Sequence, residues 1–247
     1  MAPLVIAHRG DSAHRPENTR ASFENAIAIG AEFLELDVQL SRDGEAVVIH
    51  DGTLERTTDG QGPVGERSLA ELKTLSAGYP QRFGAEWASE GILTLGEALA
   101  IARGRARVMI EIKKESLREH DPALETRVAA VVRETGMRDD VVLISFERRA
   151  LSRLRAIDAG IRRGHLFYRA TPEEVVAGAA EVATDIVMPE KGMLSDALIE
   201  ACRAAGLKPA TWVVDDPGEL LALQRFELYG IGSNRPGLLL DAIRKRG

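Results

Sequence analysis

Short apolar runs alternate with segments of helical periodicity along most of this chain. Residues 4–7 are apolar and stop abruptly at His8-Arg9-Gly10, and residues 18–29 carry apolar positions at helical spacing up to Gly30. Phe33–Leu40 alternates as a strand does, and Arg42-Asp43-Gly44-Glu45 is a hairpin-type turn into a strand over 46–49. Arg107–Ile112 predicts a strand, and Ala123–Glu134 a helix with Gly136 beyond its end. Further strands are expected at Val141–Ser145, Arg162–Phe167, 185–188, 210–214 and 228–233. Helices are expected near 147–158, 172–180, 195–204 and 217–226, with a last one from Pro236 into the basic tail. About eight strand–helix steps in succession predict an α/β fold closed as a TIM-type (β/α)8 barrel.

Residues 51–101 break this rhythm. They are rich in Gly, Thr and Arg, with one helical piece at 69–75 and loops around 78–89. A structureless loop of that length is uncommon inside a compact domain. The segment is therefore expected to be a small insertion after the second strand unit, capping the barrel's catalytic face. Residues 1–247 then form a single barrel domain, with 51–101 as its capping insertion.

Composition narrows the class without changing the architecture. A length of 247 residues suits one barrel, for which about 250 is typical. With net charge −6, five scattered histidines and no basic tract, neither a nucleic-acid surface nor an anionic-membrane patch is expected. Cys202 is the only cysteine, which excludes an intrachain disulfide and fits a reducing compartment; its setting in a helical pattern predicts packing. The first apolar run is too short for a signal peptide and no stretch reaches bilayer-spanning length, so a cytoplasmic protein without stable membrane association is expected.

Candidate chemistry gathers at strand ends. Glu35 and Asp37 are two apart and so share a strand face, with Leu36 and Val38 on the other. Alone they could be the solvated face of an antiparallel strand. Barrel strands are covered on both sides, however, and ionised carboxylates there need partners or a metal. Glu111 and Lys113 repeat the geometry on a sister strand, and three carboxylates at one barrel mouth suit Mg²⁺ or Ca²⁺. His8 ends an apolar strand beside Arg9, where barrel active sites sit. A lone histidine there could be structural; His50, also ending an apolar run and followed by Asp51, makes an acid–base pair the better reading. His14, His120 and His165 lack that setting. Trp212, near a strand terminus, is either a core aromatic or a substrate-facing wall; Phe146 is a weaker candidate of the same kind, and Arg148 and Arg149 start a helix.

In order along the chain stand His8-Arg9-Gly10, Pro16-Glu17-Asn18-Thr19, Glu35-Leu36-Asp37-Val38, Val47-Val48-Ile49-His50-Asp51, Glu111-Ile112-Lys113, Ser145-Phe146 and Thr211-Trp212-Val213-Val214. Leu54-Glu55-Arg56-Thr57-Thr58 follows the fourth of these. Together they resemble the glycerophosphodiester phosphodiesterase family over essentially the whole chain. The resemblance implies a barrel with an insertion after its second strand unit and hydrolysis of a small-molecule glycerophosphodiester to glycerol 3-phosphate and an alcohol. It implies His8 as proton acceptor, His50 as proton donor, and Glu35, Asp37 and Glu111 as ligands of one divalent cation. Arg9 and Lys113 resemble the phosphate-binding cations, and Trp212 the wall beside the glycerol. Three departures stand out. Many members have Trp-Thr-Val-Asn where this chain has Trp212-Val213-Val214-Asp215. The family's Gly-Ile-x-Thr-Asp-x-Pro appears as Gly230-Ile231-Gly232-Ser233-Asn234-Arg235-Pro236, and Leu93 replaces a common proline. These departures are expected to bear on substrate preference rather than on the reaction.

Two other readings remain open at this point. One is a phospholipase D-like hydrolase of lysophospholipids on the same barrel, with an apolar entrance formed by Tyr79, Phe83 and Trp87. The other is a non-catalytic barrel that binds a phosphoester. The sequence carries no information on oligomeric state.

Overall fold

The computed structural model describes residues 2–244. In chain order the elements are β1 (Leu4–His8), α1 (Arg20–Ile29), β2 (Phe33–Leu40), β3 (Ala46–Val48), α2 (Leu69–Leu72), α3 (Pro80–Phe83), β4 (Leu93–Thr94) and α4 (Leu95–Ala102). Then come β5 (Arg107–Ile112), α5 (Ala123–Glu134), β6 (Val141–Ser145), α6 (Arg148–Ile157), β7 (Arg162–Phe167), α7 (Pro172–Glu181), β8 (Ile186–Pro189), α8 (Asp196–Ala204), β9 (Lys208–Thr211), α9 (Pro217–Leu223), β10 (Gly230–Ser233) and α10 (Pro236–Arg244). Strands β1, β2 and β5 to β10 pair in parallel, and β1 closes the ring by pairing with both β2 and β10. Among the described residues the barrel is thus closed by eight parallel strands, each followed by a helix on the outside. The basic end of the chain beyond Arg244, expected to continue the last helix, lies outside the described residues.

Period-2 alternation divides β2 and β5 between an outer and an inner core. On β2, Leu34, Leu36, Val38 and Leu40 face the helices and join the larger apolar cluster, as do Ile110 and Ile112 of β5. Phe33 and Met109 instead point into the barrel, where they pack with Ile6, Val142, Ile144, Ile186 and others. Apolar side chains fill the lower barrel, so the polar positions on these strands, Glu35, Asp37 and Glu111, are left at the C-terminal mouth. Local signals start and stop the first helix. Thr19 and Ser22 form a reciprocal capping box, and Gly30 ends α1 at φ 94°.

The segment expected as one insertion over 51–101 divides in two. Strand β2 outruns the barrel and pairs antiparallel with β3, which pairs in turn with β4. Residues 49–92 then fold around Ile49, Leu54, Val64, Leu72, Ala77 and Ile92, with the helical piece shortened to Leu69–Leu72. Helix α4, by contrast, belongs to the barrel. It is capped by Thr94 and Glu97 and buries Leu95, Ala98, Leu99, Ile101 and Ala102 in the main core. The whole of this eight-residue helix is apolar apart from Glu97 and Gly96, so its sequence shows little polar face from which a period can be read. Other boundaries move too: β9 runs from Lys208 to Thr211, α9 ends at Leu223 and β10 begins at Gly230. Cys202 is fully buried against α7 and β8 side chains, as the packing reading expected.

Candidate active site

The chain leaves β1 through a turn that only particular backbones tolerate. Arg9 has φ 59° and Gly10 φ 80°. A Cβ on Gly10 would sit 2.5 Å from Ser22 Oγ and 2.7 Å from the Ser22 carbonyl carbon, so glycine lets the turn press against α1. The Arg9 backbone N–H donates to Glu35 Oε2 (3.0 Å), while its guanidinium reaches Glu17 (2.8 Å) and lies 3.3 Å from Asp37. His8, just before it, has Nδ1 2.7 Å from Asn234 Oδ1 and Nε2 4.0 Å from Glu35. Burial, with Arg9 alongside, pushes the His8 ring down to about 4, so it is neutral near pH 7.

Glu35, Asp37 and Glu111 bring one carboxylate oxygen each within 4.8 Å of one another. Their ionisation is uneven. Burial opposes charge on Asp37, but Arg9, Lys113, His50 and an amide hydrogen bond from Asn18 (2.9 Å) hold it well below the usual carboxylate range. Burial, then the neighbouring charges of Asp37 and Glu111, raises Glu35 well above its usual value. Burial and Asp37 push Glu111 up to about 7, against the pull of Lys113, which donates to it at 2.9 Å. Asp37 Oδ1 is buried without a hydrogen bond, although Lys113 Nζ stands 3.5 Å away. Three all-oxygen donors, one with an unmatched buried oxygen and two resisting ionisation, fit a hard divalent cation.

His50 comes from the turn after β3 and reaches the same pocket as His8, Glu35, Glu111 and Lys113. Gln39 on β2 donates to the His50 carbonyl (2.9 Å), and His50 Nδ1 lies 2.6 Å from Asp51. Asp51, drawn down to about 2 by Arg56 with burial opposing and His50 assisting, binds Arg56 in turn. Arg56 grips Glu17 through both terminal nitrogens at 2.8 Å, and Glu17 holds Arg9. An ion-pair chain therefore runs from one histidine's turn to the other's. Trp212 donates from Nε1 to the Met188 carbonyl (3.0 Å) and meets the edge of Phe146 at 5.7 Å; both rings line the pocket.

Every site residue expected from the sequence meets at this mouth: His8, Arg9, Glu35, His50, Glu111, Lys113 and Trp212 line one pocket, and Asp37 lies at its floor against Arg9 and Lys113. The other histidines lie elsewhere, His14 paired with Asp11, His120 exposed and His165 packed on Phe167. The structure adds Glu17, Asn18, Asp51 and Arg56, to which no role had been given, and gives Asp215 and Asn234 partners at this mouth. Glu17 and Asn18 were visible only as members of a motif; the αL backbone of Asn18 (φ 60°), which turns its amide to Asp37, is set by the tertiary structure. The departure at Asp215 was expected to bear on substrate preference. In the structure both its oxygens accept hydrogen bonds from Ser233 and Asn234.

The model of the glycerophosphoryl diester phosphodiesterase family matches residues 8–238. The chain belongs to that family. A glycerophosphodiester phosphodiesterase of Caldanaerobacter subterraneus subsp. tengcongensis is 34% identical over 247 residues, all of both chains. Among solved structures, an Oleispira antarctica phosphodiesterase in complex with the product sn-glycerol-3-phosphate is 31% identical with TM-score 0.91, covering 98% of this chain and 97% of that one. The glycerophosphodiester phosphodiesterase of Agrobacterium tumefaciens strain C58 is 34% identical with TM-score 0.84, over 97% and 100% of the two chains. Membership of the glycerophosphodiester phosphodiesterases makes this chain an enzyme, and its reaction the hydrolysis of glycerophosphodiesters. Among the described residues no helix is long and apolar enough to cross a membrane.

Proposed function

We propose that the chain hydrolyses glycerophosphodiesters to glycerol 3-phosphate and an alcohol with His8 as proton acceptor and His50 as proton donor, beside one Mg²⁺ or Ca²⁺ held by Glu35, Asp37 and Glu111. The observation that carries this is the shared pocket, which places two differently supported histidines beside the carboxylate cluster. When bound, the cation supplies positive charge to the phosphate oxygens at the carboxylate cluster. Arg9 and Lys113 add fixed positive charge beside it and orient the phosphate. Neutral His8 takes the proton of the attacking oxygen. For His50 to donate from Nε2 while Nδ1 donates to Asp51, its ring must carry a positive charge, and Asp51 supplies the opposite charge at 2.6 Å. Trp212 and Phe146 offer an apolar wall for the glycerol carbons.

The lysophospholipid reading finds little support in the cap. Tyr79, Phe83 and Trp87 are each covered by an arginine, Arg56, Arg82 and Arg15 respectively, instead of forming an open apolar entrance. The test is turnover of glycerophosphocholine and of a lysophospholipid, each with Mg²⁺, with Ca²⁺ and with chelator. Cation-dependent release of glycerol 3-phosphate from the first, with little turnover of the second, is expected. Undiminished turnover in chelator would remove the cation from the scheme, and preference for the lysophospholipid would replace the substrate.

A further inference from the structure

Behind His8 lies a chain of polar groups with one consistent direction. The Asp215 carboxylate has only acceptors to offer. Three donors converge on it: Ser233 Oγ at 3.0 Å and the Asn234 backbone N–H at 2.7 Å, both on Oδ1, and the Asn234 side-chain amide at 2.7 Å on Oδ2. The last contact fixes the Asn234 side chain with its NH₂ toward Asp215, so its carbonyl oxygen faces His8 and Ser12, at 2.7 and 2.9 Å. A carbonyl oxygen cannot donate. His8 Nδ1 must therefore carry a hydrogen, and in the neutral ring the lone pair is left on Nε2, the nitrogen 4.0 Å from Glu35.

We infer that Asp215, acting through the Asn234 amide, is a positioning residue that sets the proton-accepting tautomer of His8. The claim rests on the reading of His8 as the base. Turning the amide over would press its oxygen onto Asp215 and its NH₂ onto His8 Nδ1, driving the ring proton to Nε2 and blocking the atom that accepts. The two histidines differ in this respect: His50 has a carboxylate directly on Nδ1, whereas His8 has a neutral amide between it and Asp215. Exchanging the two side chains, Asp215→Asn together with Asn234→Asp, probes this direction directly. Either order joins one amide to one carboxylate and leaves an acceptor for His8, so the exchange keeps the direction of the chain.

That equivalence supplies the test. Asp215→Asn, Asn234→Asp and the double exchange are compared in the Mg²⁺-loaded enzyme by kcat and KM on glycerophosphocholine. The His8 tautomer is read from ¹⁵N chemical shifts, which separate Nδ1–H from Nε2–H and do not depend on turnover. Asp215→Asn confronts three donors with a single acceptor oxygen and frees the Asn234 amide to turn. It should lower kcat by about 10²-fold, with KM moving much less, and His8 should gain Nε2–H. Asn234→Asp sets two carboxylates against each other and should also be slow. The double exchange should return kcat to within about five-fold of the parent and restore Nδ1–H. Should Asp215→Asn be too unstable to measure, the exchanged pair decides alone: recovery supports the relay, and a rate no better than Asn234→Asp overturns it. Unchanged kcat and tautomer in Asp215→Asn would also overturn it. His8→Ala, run beside them, separates the two claims: full activity there would remove His8 as base, and the ¹⁵N signals would still decide what Asp215 does.

Discussion

His8 and His50 reach one pocket with unlike partners behind them, a neutral amide in the first case and a carboxylate in the second. Unlike partners suit unlike proton tasks, and a change of leaving group tells them apart. An alkoxide departs far more easily when protonated, whereas a nitrophenolate leaves without a proton. General acid or base assistance is worth roughly 10² to 10⁴ in rate, so either histidine's loss should be severe on glycerophosphocholine. On an aryl phosphodiester, His50→Ala should recover most of its rate while His8→Ala stays slow. Equal losses on both substrates would end the acid–base scheme. The turn that carries His8 is open to a simpler check. Gly10→Ala forces a side chain into the left-handed region and against the Ser22 backbone. A loss of about 2–4 kcal/mol in denaturant unfolding is expected; a loss below about 1 kcal/mol would show that the turn relaxes freely.

Strand β2 is the element on which the site depends. Its first half closes the barrel between β1 and β5, its middle carries Glu35 and Asp37, and its last residues leave the barrel to pair with β3. That antiparallel pairing is what delivers His50 to a mouth otherwise built from parallel strands. The delivery is then secured by Arg56, which ties Asp51 to Glu17 and so joins the cap to the His8-Arg9 turn. Arg56→Ala would leave Glu17 still paired with Arg9, and the Arg56 side chain is 35% exposed, so the stability cost should be modest, about 1–2 kcal/mol. Catalysis should suffer more, because His50 loses the group that holds its orienter. A fall in kcat of about ten-fold or greater is expected. An unchanged kcat would mean that Asp51 holds His50 without help.

For the molecule as a whole, the carboxylate cluster couples protons, cation and stability. In the folded, metal-free protein Glu35 is raised well above its usual value and Glu111 is raised to about 7, so the folded state binds more protons than the unfolded one as pH climbs above about 4.5. These two groups therefore remove stability as pH rises toward and through 7. His8, lowered to about 4, acts the other way, its stability being lost as pH falls from about 6.5 toward 4. A divalent cation needs the carboxylates ionised, so it competes with their protons. The stabilisation by Mg²⁺ or Ca²⁺, read as a gain in Tm, should be small near pH 5 and grow through pH 8; a cation at a hundred times its Kd contributes about 2.7 kcal/mol. Thermal unfolding across that range, with chelator and with cation, checks the direction; a gain that shrinks as pH rises would contradict the assignment of these ligands.

Periodicity sufficed for the barrel because a strand covered on both faces must alternate between two cores, and Leu34, Leu36 and Val38 against Phe33, Glu35 and Asp37 write that alternation directly. The same rule put Glu35, Asp37 and Glu111 on inward faces, and chain order alone placed His8 and His50 at strand ends. Helix α4 was hidden because a nearly all-apolar helix has no polar face to show its period. What the sequence could not contain is the set of partners. Asn18 meets Asp37 across 19 positions, Arg56 meets Glu17 across 39, and Asn234 meets His8 across 226. The first two pairings arise when β1 and the cap dock on β2, and the last only when the barrel closes, because β1 lies between β2 and β10 and so brings the two ends of the chain to one mouth. Local sequence determined which side chains face inward; closure decided which of them hold one another, and with that which proton each can move.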